Sequence, residues 1–491
     1  MRLRRVPLAL AALWATSASA QYPLMLDTNF RVVLQSQSVN SIMQLADGDL
    51  ILSGRLRLEG EWSDRGLVKV DANTGAYIPV PGVVLIGGGK LTRWSDKYYV
   101  GAGQTVRRLN SDGLRDTAFL SMNLDPTFAS LQGGDYHVYP DGRLLVSGWH
   151  QLYDANGDPF LHSLIWFTDS GWVDYTRTHR RSNAPVYVIK EEPDGQFLCF
   201  YTGTQYEGQA TNGRIFRISA DGVLDTTLQS RVTSGTVFSL LPLPDGRFYA
   251  TGKFYRTGVQ GMVRLARFSP NGELDPTFNN NLEFSRGELP DDGTGATIGA
   301  VKHWHDGKLL VMGTYQFVND EPRRGICAID TTGQLLEEFA GCGVGPTTYQ
   351  GLTTASVRGY LETDDGMAYI WGTYHGYNDG TTNDTLQRFV SRLYGPDTPT
   401  TVTPPTQQER AFGLFPNPAS EQVTFIYRLR TANNKATVRV QDALGRDVAL
   451  LLMPNEEGQL VLDTRELGSG MYTVRYCNAG VVEQVDKLIV Q

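Results

Sequence analysis

At 491 residues the chain has room for two or more domains and a sizeable core. Its 41% hydrophobic, 20% charged and 10% aromatic content is that of a globular protein rather than a disordered one, and its 53 glycines suit many short strands joined by tight turns. A formal charge of −8 with no basic stripe argues against a nucleic-acid partner.

Residues 1–20 stand apart. Arg2, Arg4 and Arg5 precede an apolar run from Val6 to Trp14, and Ala18-Ser19-Ala20 offers a small-residue cleavage site before Gln21. This is the layout of a secretory signal peptide, and the run is too short to span a bilayer. Cys327 and Cys342 are close enough in sequence to pair in an oxidising compartment, while Cys199 and Cys477 are far apart. Buried small hydrophobes are the competing reading, and no pair has the spacing of a zinc site.

From residue 21 to 395 the chain repeats itself. An Asp-Gly turn leads into a short apolar run that ends in a small residue plus Gly. Examples are Asp47-Gly48 before Leu50-Ile51-Leu52-Ser53-Gly54, Asp141-Gly142 before Leu144 to Gly148, and Asp245-Gly246 before Phe248 to Gly252. Asp306-Gly307 before Leu309 to Gly313 and Asp365-Gly366 before Ala368 to Gly372 follow suit. Asp194-Gly195 carries two extra residues, and Asp96-Lys97 is a copy without the turn glycine. Seven units result, spaced about 45 to 61 residues apart, as propeller blades are. Asp-Gly between apolar runs predicts a type I′ hairpin.

Each unit adds a third apolar run, a second turn and an acidic-aromatic tag, such as Leu274-Asp275-Pro276-Thr277-Phe278 or Arg115-Asp116-Thr117-Ala118-Phe119. Three or four strands per unit without helical periodicity predict one antiparallel blade. The last unit stops at Gly395-Pro396 without its tag, and an unpaired tag, Leu26-Asp27-Thr28-Asn29-Phe30, opens the mature chain. A ring whose first segment completes its last blade leaves no open sheet edge.

Units of this form, with Phe268 to Phe278 as the best copy, resemble the delta-60 repeat family of bacterial secreted proteins. The resemblance covers about residues 24 to 395, implies a propeller-like fold and brings no catalytic residues.

Residues 396–411 form a Pro/Thr-rich linker, which composition makes extended. Beyond it, residues 412–491 alternate like strands at Val423 to Tyr427, Ala436 to Gln441, Leu460 to Asp463, Met471 to Tyr476 and Asp486 to Val490, which predicts a small β-sandwich. Leu414-Phe415-Pro416-Asn417-Pro418-Ala419, Asp442-Ala443-Leu444-Gly445-Arg446, Leu467 to Tyr472 and Lys487-Leu488-Ile489-Val490 are similar to the C-terminal sorting domain of type IX secretion substrates in Bacteroidetes. That similarity implies partnership with the type IX machinery, export across the outer membrane, removal of the tail, and release or attachment at the cell surface.

No nucleophile elbow, zinc-protease motif or phosphate loop is present. His303 and His305 alternate as on one strand face, but no third ligand accompanies them. Asp154, Asn156 and Asp158 space their oxygens like the start of a calcium loop, without its later Gly and Glu; a plain Asx turn is the competing reading. The loops after the small-Gly dipeptides carry Trp149, Tyr153, Tyr206, Phe254, Tyr255, Tyr315, Phe317, Tyr374 and Tyr377. Such aromatics would line a face that recognises a glycan or protein, or pack between blades, as their recurrence favours.

The fold expected is all-β: a seven-bladed β-propeller followed by a small C-terminal β-sandwich. The function expected is a secreted or surface-attached binding scaffold for a polymer or protein ligand, with no cofactor beyond the calcium candidate. The alternatives are a propeller enzyme acting on polysaccharide and a structural envelope component.

Overall fold

Each Asp-Gly pair sits in a hairpin turn, but not of the predicted type. At Gly48, Gly142, Gly195, Gly246 and Gly366 the glycine takes positive φ, from 79° to 91°, and the aspartate before it does not. Asp306 and Gly307 are the exception, with φ of 54° and 74°. Elsewhere the aspartate turns its side chain back onto the chain: Asp47, Asp141, Asp194 and Asp245 each accept the amide two residues on. This is the three-residue loop, a type I turn closed by a left-handed glycine, in which Asp serves as an acceptor rather than for its tolerance of positive φ.

The computed structural model describes residues 24–80, 87–289, 295–349, 351–395, 412–428, 436–442, 445–453, 457–478 and 481–491. The signal peptide read at 1–20 and the linker read at 396–411 lie outside the described residues. The chain divides into two compact units, residues 1–398 and 399–491. No helix among the described residues is long and apolar enough to cross a membrane.

In the first unit, seven antiparallel sheets among the described residues carry the repeat. Their opening strands are Leu34–Gln44, Leu91–Trp94, Phe128–Val138, Val186–Glu191, Val232–Pro242, Thr297–His303 and Ser356–Glu362. Each opening strand is an edge of its sheet or lies next to the hairpin's second strand only, and it packs against the sheet before it; that of the first sheet packs against the seventh. The opening strands therefore line the inside of a closed ring, the β-propeller arrangement. Its cores lie between neighbouring sheets. Val39, Leu52 and Val68 of the first sheet, for instance, pack with Tyr369 and Val390 of the seventh. Each such apolar side chain contributes about 1.5–3 kcal/mol on burial.

The small-Gly dipeptide has a steric cause. A Cβ on Gly54, Gly252, Gly313 or Gly372 would lie 2.0–2.2 Å from a backbone carbonyl of the paired opening strand. Nothing larger than glycine lets the two strands approach. Immediately after the residue paired with that glycine, the opening strand bulges, between Val39 and Ser41, Val237 and Ser239, Ile298 and Ala300, and Val357 and Gly359.

The tag supplies the second recurring device. Asp116 pairs with Arg108 at 2.7 Å and Asp275 with Arg267 at 2.8 Å, both pairs buried. Each tag phenylalanine meets a tyrosine of the same sheet edge-on, Phe119 with Tyr99 and Phe278 with Tyr249. The start of the chain repeats this in the seventh sheet. Leu26 bridges Leu393, Asp27 pairs with Arg392 at 3.0 Å, and Phe30 lies edge-on to Tyr369 at 5.6 Å. The first segment thus completes the last sheet, as the missing tag predicts.

The C-terminal unit holds two sheets. Phe412–Phe415, Gln422–Arg428 and Glu457–Asp463 form one; Asp447–Leu452, Thr437–Gln441, Gly470–Asn478 and Val481–Val490 form the other. Val423 and Phe425 of the first share a core with Val438, Val474 and Leu488 of the second. Asn417 of the Pro-Asn-Pro motif pins the final strand: its Nδ2 donates to the Lys487 carbonyl and its Oδ1 accepts the Ile489 amide.

Two outcomes follow from these contacts. Gly372→Ala forces a Cβ against the Ser356 carbonyl and lowers stability by about 1–3 kcal/mol, read as a fall in melting temperature. Acid weakens the ring as well. Burial opposes ionisation of Asp116 and Asp275, but hydrogen bonds from Lys97 and Arg108, and from Thr277 and Arg247, outweigh it and hold both carboxyls below their usual range. Groups more acidic when folded contribute stability above their unfolded pKa of about 4 and lose it as pH falls through their folded values. Melting temperature therefore drops progressively below about pH 4; a flat profile there contradicts the assignment.

Candidate functional site

The bulges decide what faces the axis. A bulged residue leaves the ladder, so its side chain is released from the alternation of the strand, although Tyr187 still packs against the core beside Phe200. Those positions hold Asn40, Tyr187, Phe238, Gly299 and Arg358, with Asp135 in the wider bulge of the third sheet. Lys90 directly precedes the short opening strand of the second sheet.

These residues join sheet to sheet around the ring. Arg358 Nη1 donates to Asn40 Oδ1 at 2.9 Å, linking the seventh sheet to the first, and Asn40 Nδ2 donates to the Gly88 carbonyl at 2.7 Å. Lys90 meets Asp135 at 2.5 Å, and Lys190 lies 3.8 Å from its other oxygen. Gln132 Nε2 donates to the Tyr187 hydroxyl at 3.1 Å. Burial lowers the Lys90 pKa against the pull of Asp135; burial also opposes ionisation of Asp135, yet Lys90 and Lys190 hold it below the usual carboxylate range. That side of the axis is closed by internal neutralisation.

The belt of bulge-position contacts breaks at the fifth and sixth sheets, although further along the strands Lys302 Nζ of the sixth donates to the Tyr360 carbonyl of the seventh. Phe238 stands 47% exposed there, and Gly299 offers no side chain. The gap is a cavity of about 320 Å³ lined by Asn40, Phe238, Thr297, Thr314, Ser356 and Arg358 together with backbone of the sixth and seventh sheets. It falls in the size range of small-ligand sites. Arg358 is the charged group of its lining. Its side chain reaches water yet is surrounded by protein, and that burial lowers its pKa.

Of the nine aromatics read from the sequence, five are withdrawn from any recognition face. Tyr206, Phe254, Tyr315, Tyr374 and Tyr377 are buried, which removes them from contact with any ligand. The cause lies in their hydroxyls and neighbours. Tyr315 donates to the carbonyl of Val311 and Tyr374 to that of Ile370, each four residues back, while Tyr206 donates to Gly222 and Phe254 joins an apolar core. Trp149, Tyr153 and Phe317 are partly buried, and only Tyr255 of the nine stands exposed, at 44%.

Asp154 Oδ1 accepts the amides of Asn156 and Asp158, so the calcium candidate is placed in an exposed Asx turn. His305 Nε2 lies 2.5 Å from Glu362, while His303 ends the opening strand of the sixth sheet. Among the described residues no three His, Cys, Asp or Glu side chains cluster as metal ligands. Cys327 and Cys342 are buried and unbonded, and burial pushes their thiols up to about 12 and about 11. The two do not pair: Cys327 lies in the core between the fifth and sixth sheets, where its sulfur accepts the Tyr315 hydroxyl, and Cys342 in the core between the sixth and seventh.

Phe238 and Arg358 were not singled out from the sequence. The available signal was positional: they sit where other units carry Asn40, Tyr187 or Gly299, a site of the repeat at which chemistry varies while its neighbours do not.

Comparison with known families agrees with this architecture. Residues 413–491 match the secretion system C-terminal sorting domain, and residues 243–278 match the domain of unknown function (DUF5122) beta-propeller. The sorting domain marks the chain for export by the type IX route, to the cell surface or beyond it. No curated protein matches the chain.

Three solved structures are similar at 11% identity. One is the extracellular domain of a candidate hybrid two-component system of B. thetaiotaomicron, with a TM-score of 0.43 over 95% of this chain and 59% of that one. Another is PorZ, a surface component of the type IX secretion system of Porphyromonas gingivalis, at 0.30 over 92% and 75%. The third is YCF48 bound to D1 peptide, at 0.39 over 77% and 100%. The chain thus spans less than two thirds of the first of these.

A truncation ending before residue 413 is expected to stay inside the outer membrane while the full chain passes it, as cell fractionation of a type IX-competent host would show. Equal export of both forms would remove the sorting role.

Proposed function

We propose that this exported chain is a binding protein at or beyond the cell surface, holding part of a polymer or protein ligand in the axial cavity between the fifth, sixth, seventh and first sheets. The observation that carries the reading is the break in the inter-sheet belt. A ring that closes polar contacts from Arg358 round to Tyr187 leaves a pocket beside Gly299, with an exposed aromatic and a guanidinium that has no carboxylate partner at its walls. Exposed aromatic surface next to a few directed polar groups is what recognition sites use.

The polysaccharide-cleaving alternative needs two carboxylates free to act across one bond. On the inner strands Asp135 is held by Lys90, and Glu362 by His305 and the Tyr360 hydroxyl. Those engagements favour holding a ligand over cleaving it.

Gly299 gives a clean test. A Cβ there meets only the Met312 carbonyl, at 3.8 Å, so a larger side chain enters the cavity without clashing with the sheet. Gly299→Trp is expected to keep the melting temperature and to lose retention of whatever extracellular polysaccharide or protein the intact chain captures on an array. Retention unchanged by that substitution overturns the axial site.

A further inference from the structure

The cavity's chemistry narrows its occupant. Arg358 is a fork of donors with no carboxylate partner: among the described residues its one hydrogen bond goes to the neutral amide of Asn40. A guanidinium on a cavity wall that reaches solvent and has no carboxylate partner is open to an anion, and a carboxylate fits its geometry best. On the same lining, Phe238 of the fifth sheet is an aromatic left partly open to solvent. The lining also includes Thr297, Thr314 and Ser356, residue types whose hydroxyls can donate and accept. One charge, one aromatic platform and several hydroxyls match a molecule that bears one carboxylate, a flat apolar face and several hydroxyls of its own.

We infer that the axial cavity takes an acidic sugar unit, its carboxylate on Arg358 beside Asn40, its ring against Phe238, and its hydroxyls toward Thr297, Thr314 and Ser356. This rests on the binding reading above and specifies its ligand. An acidic peptide satisfies Arg358 equally well, but it leaves the hydroxyl-bearing residues of the lining without partners, and polar groups left unpaired beneath a bound ligand cost affinity. The chain's net charge of −8 repels polyanions at long range, so attraction must come from this local fork rather than from general adsorption.

The test uses the intact chain with D-glucuronate, D-glucose and N-acetylglutamate as probes, followed by titration calorimetry or ligand-observed NMR. Glucuronate is expected to bind at least about tenfold more tightly than glucose, the factor a charge-assisted fork supplies. Arg358→Gln erases that preference, Phe238→Ala weakens both sugars, and Gly299→Glu, which places a carboxylate in the cavity that Arg358 lines, excludes glucuronate while the melting temperature holds.

Equal affinity for glucose and glucuronate, lost in Gly299→Trp, overturns the acidic ligand and leaves the axial binding reading standing. Tighter binding of N-acetylglutamate than of glucuronate assigns the site to acidic peptide and overturns the sugar. Absence of any glucuronate binding, or binding indifferent to Arg358→Gln, overturns the inference outright.

Discussion

A buried arginine that answers to two sheets at once holds this ring in register. In the second and fifth sheets, Arg108 and Arg267 pair with the tag aspartate of their own sheet and donate onward to a turn carbonyl of the next, Asp169 and Thr331. Arg217 of the fourth sheet does the same through Asp225, Glu192 and the Pro270 carbonyl. Arg392 of the seventh reaches Asp27 and, in the first sheet, Asn73. Such a pair brings little net stability against an apolar substitute, because desolvation offsets attraction. What it adds is direction. A guanidinium with a fixed set of acceptors admits one placement of the next sheet, whereas apolar faces alone slide.

The same geometry explains why closure needs the chain's first segment. Without Asp27, Arg392 would stay buried with only the more distant Asp365 carboxylate at 3.4 Å. Removing one partner of a buried pair costs on the order of 3–5 kcal/mol, a large share of the stability of any domain. The apolar surface that Leu26 and Phe30 cover would be exposed in addition. Ends that meet in one sheet therefore convert a row of weakly coupled repeats into a single cooperative ring.

How much of this was legible in the sequence depended on how local the cause was. Asp-Gly turns and the missing tag were visible because turn chemistry and strand count are written in adjacent residues. The turn type was misjudged: Asp47 and its counterparts contribute a side-chain acceptor rather than a positive φ. Five of the nine aromatics turn inward, the reading their recurrence favours. Tyr315 and Tyr374 follow a glycine beside the bulge, and their rings turn inward so that the hydroxyl reaches a carbonyl four residues back. No local pattern separates that from an outward ring, although regular recurrence argued for a structural post. The axial residues escaped because a bulge has no residue signature; Asn, Tyr, Phe, Gly and Arg all occupy it.

That freedom at the bulge is itself a consequence of where the stabilising contacts lie. The cores, the arginine pairs and the tag aromatics all sit between sheets, and the described cysteines are buried thiols that form no cross-link. A chain exported without disulfides must draw its stability from those inter-sheet contacts, which leaves little latitude in them. The bulged position carries less of that burden: its side chain leaves the ladder, and the glycine opposite already fixes the strand approach. Substituting Arg358 or Phe238 thus alters what the axis can hold while leaving the cores and the buried arginine pairs in place. A fold built this way separates recognition from stability by construction, and the variable chemistry of the inner wall is where one ring of this architecture would differ from the next.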